Sequence, residues 1–256
     1  MRNIKLTISY DGTAYHGWQI QQNANTVQEE LTKVCERIFN EKISLNGCSR
    51  TDTGVHANEF CLNFFTSSSM NVEKIQSAIN ALAPADISVS DVQEKNLDFH
   101  ARFDCVGKEY IYKIHIGKTR NPFCFAYSLH YPYAFDVAAL NEVCKKFVGT
   151  HDFSAFCASG STVNDKTRTI YACWLEQEGD MAIFHVRGDG FLYNMVRILV
   201  GTLLYVARGK IDADEIEDII KSKKRERAGI TASSHGLYLN KVFYDKEGLL
   251  DEKQGD

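Results

Sequence analysis

A run of polar residues between two strand-like segments is the part of the chain best equipped for chemistry. It reads Ser49-Arg50-Thr51-Asp52-Thr53-Gly54-Val55-His56. An aspartate at its reference pKa of ~3.9 is ionised at neutral pH, so Asp52 needs no neighbouring base to act as a nucleophile. Loops carried by a rigid sheet often hold such groups. The plainer interpretation is that Asp52 and Gly54 only shape a turn, and spacing alone favours it.

His56 follows Asp52 by four residues, a spacing that suggests a metal pair or a general base. No third ligand of suitable spacing lies nearby in the sequence, so a metal site is not expected, and a lone histidine is more often structural. The 8 cysteines are scattered without a C-x-x-C pair. We therefore expect reduced, buried thiols and no bound metal.

Hydrophobic periodicity in the first half predicts alternating strands and helices. The predicted elements are a strand over Ile4–Ile8, a helix capped by Thr26, strands over Ile43–Cys48 and Phe60–Thr66, a helix from Val72 to Leu82 before Pro84, and a strand over Ile87–Val92. This β-α-β-β-α-β order is that of a ferredoxin-like unit, with both helices on one face of an antiparallel sheet and the other face left free.

The second half is expected to repeat this scheme. Its predicted elements are strands over Tyr110–Ile116, Thr169–Glu176, Ala182–Arg187 and Leu239–Tyr244, and helices over Val137–Phe147, Tyr193–Ala207 and a short stretch opened by Asp212 with Glu215. We therefore predict an α+β fold of two ferredoxin-like (βαββαβ) units, spanning residues 1–100 and 101–245. An acidic tail covers 246–256.

Composition describes an ordinary globular chain of 256 residues with 44% hydrophobic residues and a net charge of −4. Disordered and collagen-like classes are excluded. Met1–Tyr10 has no apolar core of a secretory signal, and the apolar stretch Met195–Ala207 is interrupted by Arg197, short of the ~18 residues that a membrane span needs. A cytoplasmic protein without membrane contact is expected.

Several blocks of residues follow one another along the chain. They are Tyr10-Asp11-Gly12-Thr13 with Tyr15, Gly17, Trp18 and Gln19; Arg50-Thr51-Asp52; Gly54-Val55-His56-Ala57; Phe99-His100-Ala101-Arg102-Phe103; Lys108 with Tyr110 and Tyr112; Thr167-Arg168-Thr169-Ile170; Asn194-Met195-Val196-Arg197; and Gly236-Leu237-Tyr238-Leu239. Together these blocks closely resemble the TruA family of tRNA pseudouridine synthases. The resemblance extends from Tyr10 to about Tyr244, and ordered blocks are far more specific than one motif.

The resemblance implies an isomerase that detaches uracil from its ribose and rejoins it through carbon five. In that family the aspartate, here Asp52, is the nucleophile. Tyr110 would stack on the target base, Arg197 would pair with the nucleophile, and Arg50 would help to displace the base. The implied substrate is tRNA at uridines thirty-eight to forty, and the implied protein is a homodimer of pseudouridine synthase fold without metal or organic cofactor, with its site in a central cleft between the two units.

Residue chemistry is compatible with these roles. An arginine in an apolar helix is unusual because an unpaired buried charge is costly, so Arg197 is either paired or snorkelling to solvent. Stacking on an aromatic ring would favour an extruded base, although Tyr110 and Tyr112 alternate as strand packing residues do. The residues expected to bind the RNA backbone are Arg102, Lys108, Arg168, Arg187 and the cluster Lys221–Arg227, which carries five basic residues and one acid.

Departures from the family pattern and two other functions stay open. Ser49 and Thr53 beside the aspartate, Ser233-Ser234 and Tyr205 leave room for a paralogue with another RNA target. A ferredoxin-like sheet is also the scaffold of non-catalytic RNA-binding domains, but their aromatic signature is missing. A hydrolase using Asp52 and His56 lacks a second convincing carboxylate.

Overall fold

A computed structural model describes residues 1–250 of the protein. The chain divides into two compact units: the first is Met1–Val106 with Tyr238–Lys246, and the second is Gly107–Leu237 with the chain from Glu247 onward. Mostly antiparallel sheets with helices confirm the predicted mixed α/β fold. Most of the predicted acidic tail, residues 251–256, lies outside the described residues.

Ten strands and six α-helices are found in the described part of the chain. The strands are β1 (Arg2–Tyr10), β2 (Asn46–Gly47), β3 (His56–Thr66), β4 (Ile87–Lys95), β5 (Gly107–Ile116), β6 (Leu129–Tyr131), β7 (Gly149–Asp152), β8 (Thr167–Glu178), β9 (Met181–Gly188) and β10 (Leu237–Phe243). The helices are α1 (Val27–Phe39), α2 (Val72–Leu82), α3 (Val137–Lys145), α4 (Met195–Val206), α5 (Ile216–Ser222) and α6 (Lys246–Leu250).

The first unit has the predicted ferredoxin-like pairing. Its sheet order is β4-β1-β3, with β2 and β10 both paired to β3, and all neighbours are antiparallel except β10, which is parallel to β3. Strand β10 is therefore grouped with the first unit, whereas the sequence places it at the end of the second. Helix α1 begins where the Thr26 hydroxyl accepts a hydrogen bond from the Glu29 amide, as its capping pattern predicts.

Strand β2 is much shorter than the predicted strand over Ile43–Cys48. Side chains of α1 bind two backbone groups of this segment, at residues whose backbone points away from β3 in the β2–β3 register. The Glu36 carboxylate accepts from the Ile43 amide at 3.4 Å, and the Gln28 amide donates to the Leu45 carbonyl at 3.0 Å. Within Ile43–Cys48, Asn46–Gly47 pairs with β3 as a strand, and the Cys48 amide adds one more hydrogen bond to β3.

One end of the sheet face that was expected to be free is covered by a loop. Asn3 of β1 and Asn63 of β3 are fully buried and joined by a 2.9 Å hydrogen bond. The Asn3 amide donates to the carbonyls of Asn96 and Phe99, both at 2.8 Å. The Asn63 carbonyl accepts from the Ala101 amide at 2.9 Å. Two buried amides thus fasten the loop after β4 to the sheet, because their polar atoms cannot be buried unpaired.

The second unit has the sheet order β5-β9-β8-β7, with β6 parallel to β5. Helix α4 is buried nearly all round, as the apolar run predicts. A later segment of the chain crosses helix α4 at Gly229, where an added Cβ would lie 2.5 Å from the Gly201 carbonyl oxygen.

No helix among residues 1–250 is both long and apolar enough to span a membrane.

The amide pair beneath the loop predicts a specific stability loss. Asn63→Leu would leave the side-chain oxygen of Asn3 and the backbone amide of Ala101 without this partner. Each buried polar group that loses its hydrogen bond costs about 1–3 kcal/mol of stability. We expect the free energy of unfolding in urea to fall by about 2–5 kcal/mol. Asn58→Leu on the same strand removes an exposed bond to Asn240 and is the matched control. Equal losses in the two variants would contradict this account.

Candidate active site

The loop carrying Asp52 joins β2 to β3, which are hydrogen-bonded neighbours. The Cys48 amide extends their ladder by donating to the Cys61 carbonyl at 2.8 Å. Beyond it Arg50 is exposed, Thr51 is buried and Asp52 is half-buried. Asp52 therefore lies at the end of a sheet, on a loop whose backbone is anchored to neighbouring strands.

A second segment of the first unit, residues 10–18, holds this loop in place. The hydroxyls of Tyr10 and Thr51 lie 2.8 Å apart. The Thr51 carbonyl accepts from the Trp18 amide at 3.2 Å, and the Gly54 amide donates to the Tyr15 carbonyl at 3.2 Å. The two sequence blocks around Tyr10 and Asp52 therefore form one packed feature.

Two glycines make this packing possible. Gly17 has a φ of +90°, and an added Cβ would lie 2.3 Å from the Thr51 carbonyl oxygen. At Gly12 the added Cβ would lie 2.0 Å from the Val55 carbonyl oxygen. Real Cβ atoms do not approach so closely, so both positions require glycine for the backbones to touch. Backbone lies directly against backbone on both sides of Asp52.

His56 has the contacts of a structural residue. It is 2% exposed, and its ring stacks on Tyr238 with 4.6 Å between centroids. Its Nδ1 lies 3.1 Å from the Gly12 amide nitrogen and 3.1 Å from an Asp11 carboxylate oxygen. These contacts agree with the plainer interpretation of a lone histidine. Among residues 1–250, no group of three or more His, Cys, Asp or Glu side chains is arranged to hold a metal ion.

In the second unit, Arg197 lies in the first turn of α4 and is half-buried. Its Nε donates to the Ala232 carbonyl at 2.6 Å, and Nη1 donates to the Asn194 side-chain oxygen at 2.7 Å. Both acceptors are neutral, so these bonds fix the guanidinium without cancelling its charge. Asn194 precedes the helix in the left-handed conformation, with φ of 59°. Sequence reasoning assigned no role to Asn194 itself, although asparagine tolerates this conformation better than most residues.

Tyr110 and Tyr112 lie on one face of β5, but their surroundings differ. Tyr112 is fully buried, its hydroxyl donates to the Ser233 carbonyl at 2.8 Å, and burial raises its pKa well above the ordinary value. Tyr110 is 7% exposed and meets Phe191 edge-on at 5.1 Å. Tyr112 is therefore a packing residue.

Several basic residues predicted to bind RNA are engaged within the second unit. Arg187 forms an ion pair with the buried Glu109 across β5 and β9. In the cluster Lys221–Arg227, Lys223 pairs with Asp152 at 2.7 Å, and Arg225 donates to the Gly229 carbonyl at 2.8 Å. Tertiary partners therefore neutralise or bind part of the charge of this cluster, while Lys221, Lys224 and Arg227 stay exposed. Arg102, in the first unit, is exposed.

Two solved complexes contain chains with weak structural similarity to this chain. They are an archaeal box H/ACA sRNP Nop10–Cbf5 complex, with a TM-score of 0.34 and 14% identity, and a Cbf5–Nop10–Gar1 complex, with a TM-score of 0.35 and 13% identity. Each match covers 78% of this chain, which spans 42% and 53% of the respective matched chains. These likenesses are too weak to assign a family.

Sequence similarity is much stronger. The profile of a family described as tRNA pseudouridine synthase matches residues 6–104 and 143–245, more than half of the chain. The tRNA pseudouridine synthase A of Acetivibrio thermocellus is 47% identical over 244 residues, which cover 95% of this chain and 100% of that protein. The enzyme of that name from Geobacillus sp. is 44% identical over 95% of this chain and 99% of its own length. The chain therefore belongs to the tRNA pseudouridine synthase family, which is a family of isomerases.

Proposed function

We propose that this enzyme converts uridine to pseudouridine in the anticodon stem-loop of tRNA, at one or more of positions thirty-eight to forty, with Asp52 as the nucleophile. One observation carries the assignment of Asp52. Its half-buried carboxylate lies on a loop whose backbone is fixed by direct contact with Gly12 and Gly17. A nucleophile held in this way needs little reorganisation to reach a substrate.

The proposed reaction conserves all atoms of the nucleoside. The bond from ribose C1′ to uracil N1 breaks, the ring turns, and C1′ joins C5. The hydrogen on C5 leaves as a proton, and N1 takes one up. A carboxylate can trap an oxocarbenium-like sugar as a glycosyl ester that reopens when the base returns, or it can add to the uracil ring or promote elimination. Each route uses Asp52 beside the extruded nucleoside.

Three other residues complete the proposal, with roles taken from the family resemblance. Tyr110 stacks on the extruded base, which is compatible with its incomplete burial next to Phe191. Arg197 supplies the cation for the nucleophile, which its two neutral hydrogen-bond acceptors support because they leave its charge available. Arg50, exposed two residues before Asp52, helps to displace the base. The proposal also includes a cytoplasmic homodimer that works without a metal or organic cofactor.

Replacing the nucleophile tests the central assignment. In tRNA labelled with tritium at uridine C5, turnover releases the label. Asp52→Asn keeps the size of the side chain but removes the nucleophilic charge, so the rate should fall at least ~10³-fold with an unchanged melting temperature. Thr53→Ala, at the exposed neighbour, should retain activity.

The same reaction mixtures distinguish the alternatives. Pseudouridine is mapped by its specific carbodiimide adduct, which stops reverse transcription. Modification at other positions would exclude the proposed uridines. Free uracil would indicate a hydrolase, and tRNA binding without conversion by the wild type would indicate a non-catalytic RNA-binding protein. Full activity of Asp52→Asn would overturn the role of this residue.

The glycine contact makes a second prediction. Gly17→Ala should push the Thr51 carbonyl away and displace Asp52, which should lower kcat by about 10- to 100-fold, because misplacement by 1 Å can cost as much as ~100-fold. Gly160→Ala is a matched control, since Gly160 also has a φ of +90° but nothing within 4 Å of its added Cβ. Comparable kcat losses in both variants would show that backbone strain, rather than the contact with the loop, is responsible.

A third prediction concerns Tyr110. If its ring stacks on the base, Tyr110→Phe should keep KM for tRNA within a few-fold, whereas Tyr110→Leu should lose the stacking energy of about 1–3 kcal/mol. Steady-state kinetics with tRNA transcripts measure both variants. A larger defect in Tyr110→Phe than in Tyr110→Leu would point instead to a role of the hydroxyl.

A further inference from the structure

A loop of the second unit, residues 117–128, is built around exposed aromatic side chains; we name it the aromatic loop. It joins β5 to β6, and hydrogen bonds hold both of its ends. The Gly117 amide donates to the Tyr131 carbonyl at 3.1 Å, and the Ser128 hydroxyl donates to the Cys124 carbonyl at 2.9 Å. Within it the Tyr127 amide donates to the Cys124 carbonyl at 2.9 Å. The loop is therefore a defined turn structure.

Its aromatic rings alternate with small residues and point outward. Phe123 is 93% exposed, Phe125 47% and Tyr127 43%, with Cys124 and Ala126 between them. Burying these rings in the core would be favourable, and a run of exposed rings in a soluble protein commonly marks a binding surface. The proposed reaction gives none of these three residues a role.

Charge indicates what kind of partner fits. From Gly117 to Phe135 the sequence contains no Asp or Glu, although the whole chain is acidic. Lys118 and Arg120 are exposed, and the Arg120 guanidinium lies 5.3 Å from the centroid of the Phe125 ring. Flat rings beside cations fit a partner with negative charge and exposed π faces. A single-stranded nucleic acid offers both.

The aromatic loop is linked to Arg197 through one residue. The Phe125 ring lies 6.2 Å from the His235 ring, and the Ser128 backbone hydrogen-bonds to the same histidine. Burial lowers the pKa of His235, and the positive charge of Arg197 lowers it further. His235 thus contacts the aromatic loop and lies within electrostatic range of the arginine that the proposed function places at the reacting nucleotide.

We propose that the aromatic loop is a second contact site for the RNA substrate, on which an unpaired nucleotide stacks against Phe125 and Phe123 while Lys118 and Arg120 bind phosphates. This inference rests on the proposed function, because it takes the bound RNA to be the tRNA whose uridine is converted. The alternative occupant, a second copy of the chain, is separated from RNA by the experiments below.

Kinetics of the full-length enzyme give the first test. The double variant Phe123→Ala/Phe125→Ala should raise KM for tRNA about 5- to 100-fold, with a much smaller change in kcat. Phe65→Ala removes a phenylalanine that is 37% exposed on β3 of the other unit, and it should leave KM unchanged. An unchanged KM in the double variant would overturn the inference while leaving the proposed function intact. A raised KM accompanied by a change of oligomeric state would also overturn it, because it would assign the surface to a second copy.

A binding measurement keeps the inference testable even if no uridine is converted. Phe125→Trp places a fluorescent ring at the stacking position. Oligouridylate or an anticodon stem-loop RNA should lower the tryptophan fluorescence of this variant more than that of the wild-type enzyme. Phe125→Leu, which keeps apolar bulk without a ring, should weaken binding of the same RNA about 5-fold or more. The double variant Lys118→Ala/Arg120→Ala should make the plot of log association constant for the RNA against log salt concentration less steep, by about 1–2 in slope. Absence of quenching with full affinity in Phe125→Leu would exclude stacking.

Discussion

The carbonyl oxygens of Thr51 and Val55 occupy the space where any residue other than glycine at positions 17 and 12 would carry its side chain. This direct backbone contact is the constraint on which the candidate site depends. It holds the loop of Asp52 between a sheet and a second segment of the same unit, without a long side chain that could adopt another rotamer. The hydrogen bond between the Tyr10 and Thr51 hydroxyls holds the same two segments together through their side chains.

Two arginines of the second unit show how local partners decide what a charge can do. Arg187 is bound to the buried carboxylate of Glu109, so its charge is balanced within the protein. Arg197 is held by a backbone carbonyl and the Asn194 amide, which orient the guanidinium and leave its charge uncompensated by these bonds. A half-buried cation of the second kind favours a nearby anion, because an ion pair offsets the free energy lost when part of its hydration is removed. This difference supports a functional assignment for Arg197 and a structural one for Arg187.

The distribution of charge along the chain is a poor guide to the charge available on the surface. The most basic segment, Lys221–Arg227, is partly neutralised by acids from other elements, as the Lys223–Asp152 pair shows. The stretch from Gly117 to Phe135 has few cations but no acids at all, and it exposes aromatic rings beside them. Exposed rings beside cations therefore indicate a better candidate for binding an anionic partner than the local number of cations does.

The sequence by itself determined the family, the βαββαβ order of the first unit and most helix boundaries. These follow from local patterns: Thr26 caps α1 through a bond to its own first turn, and the length of the apolar run after Asn194 favours a buried helix. Only the tertiary structure decided which residues are available for chemistry. Tyr110 and Tyr112 have the same strand pattern, and they differ because distant residues, Ser233 and Gly236, enclose Tyr112 alone. The periodicity of a strand predicts on which face of the sheet a side chain lies. The residues that pack against it on that face come from distant parts of the chain, which no local pattern specifies.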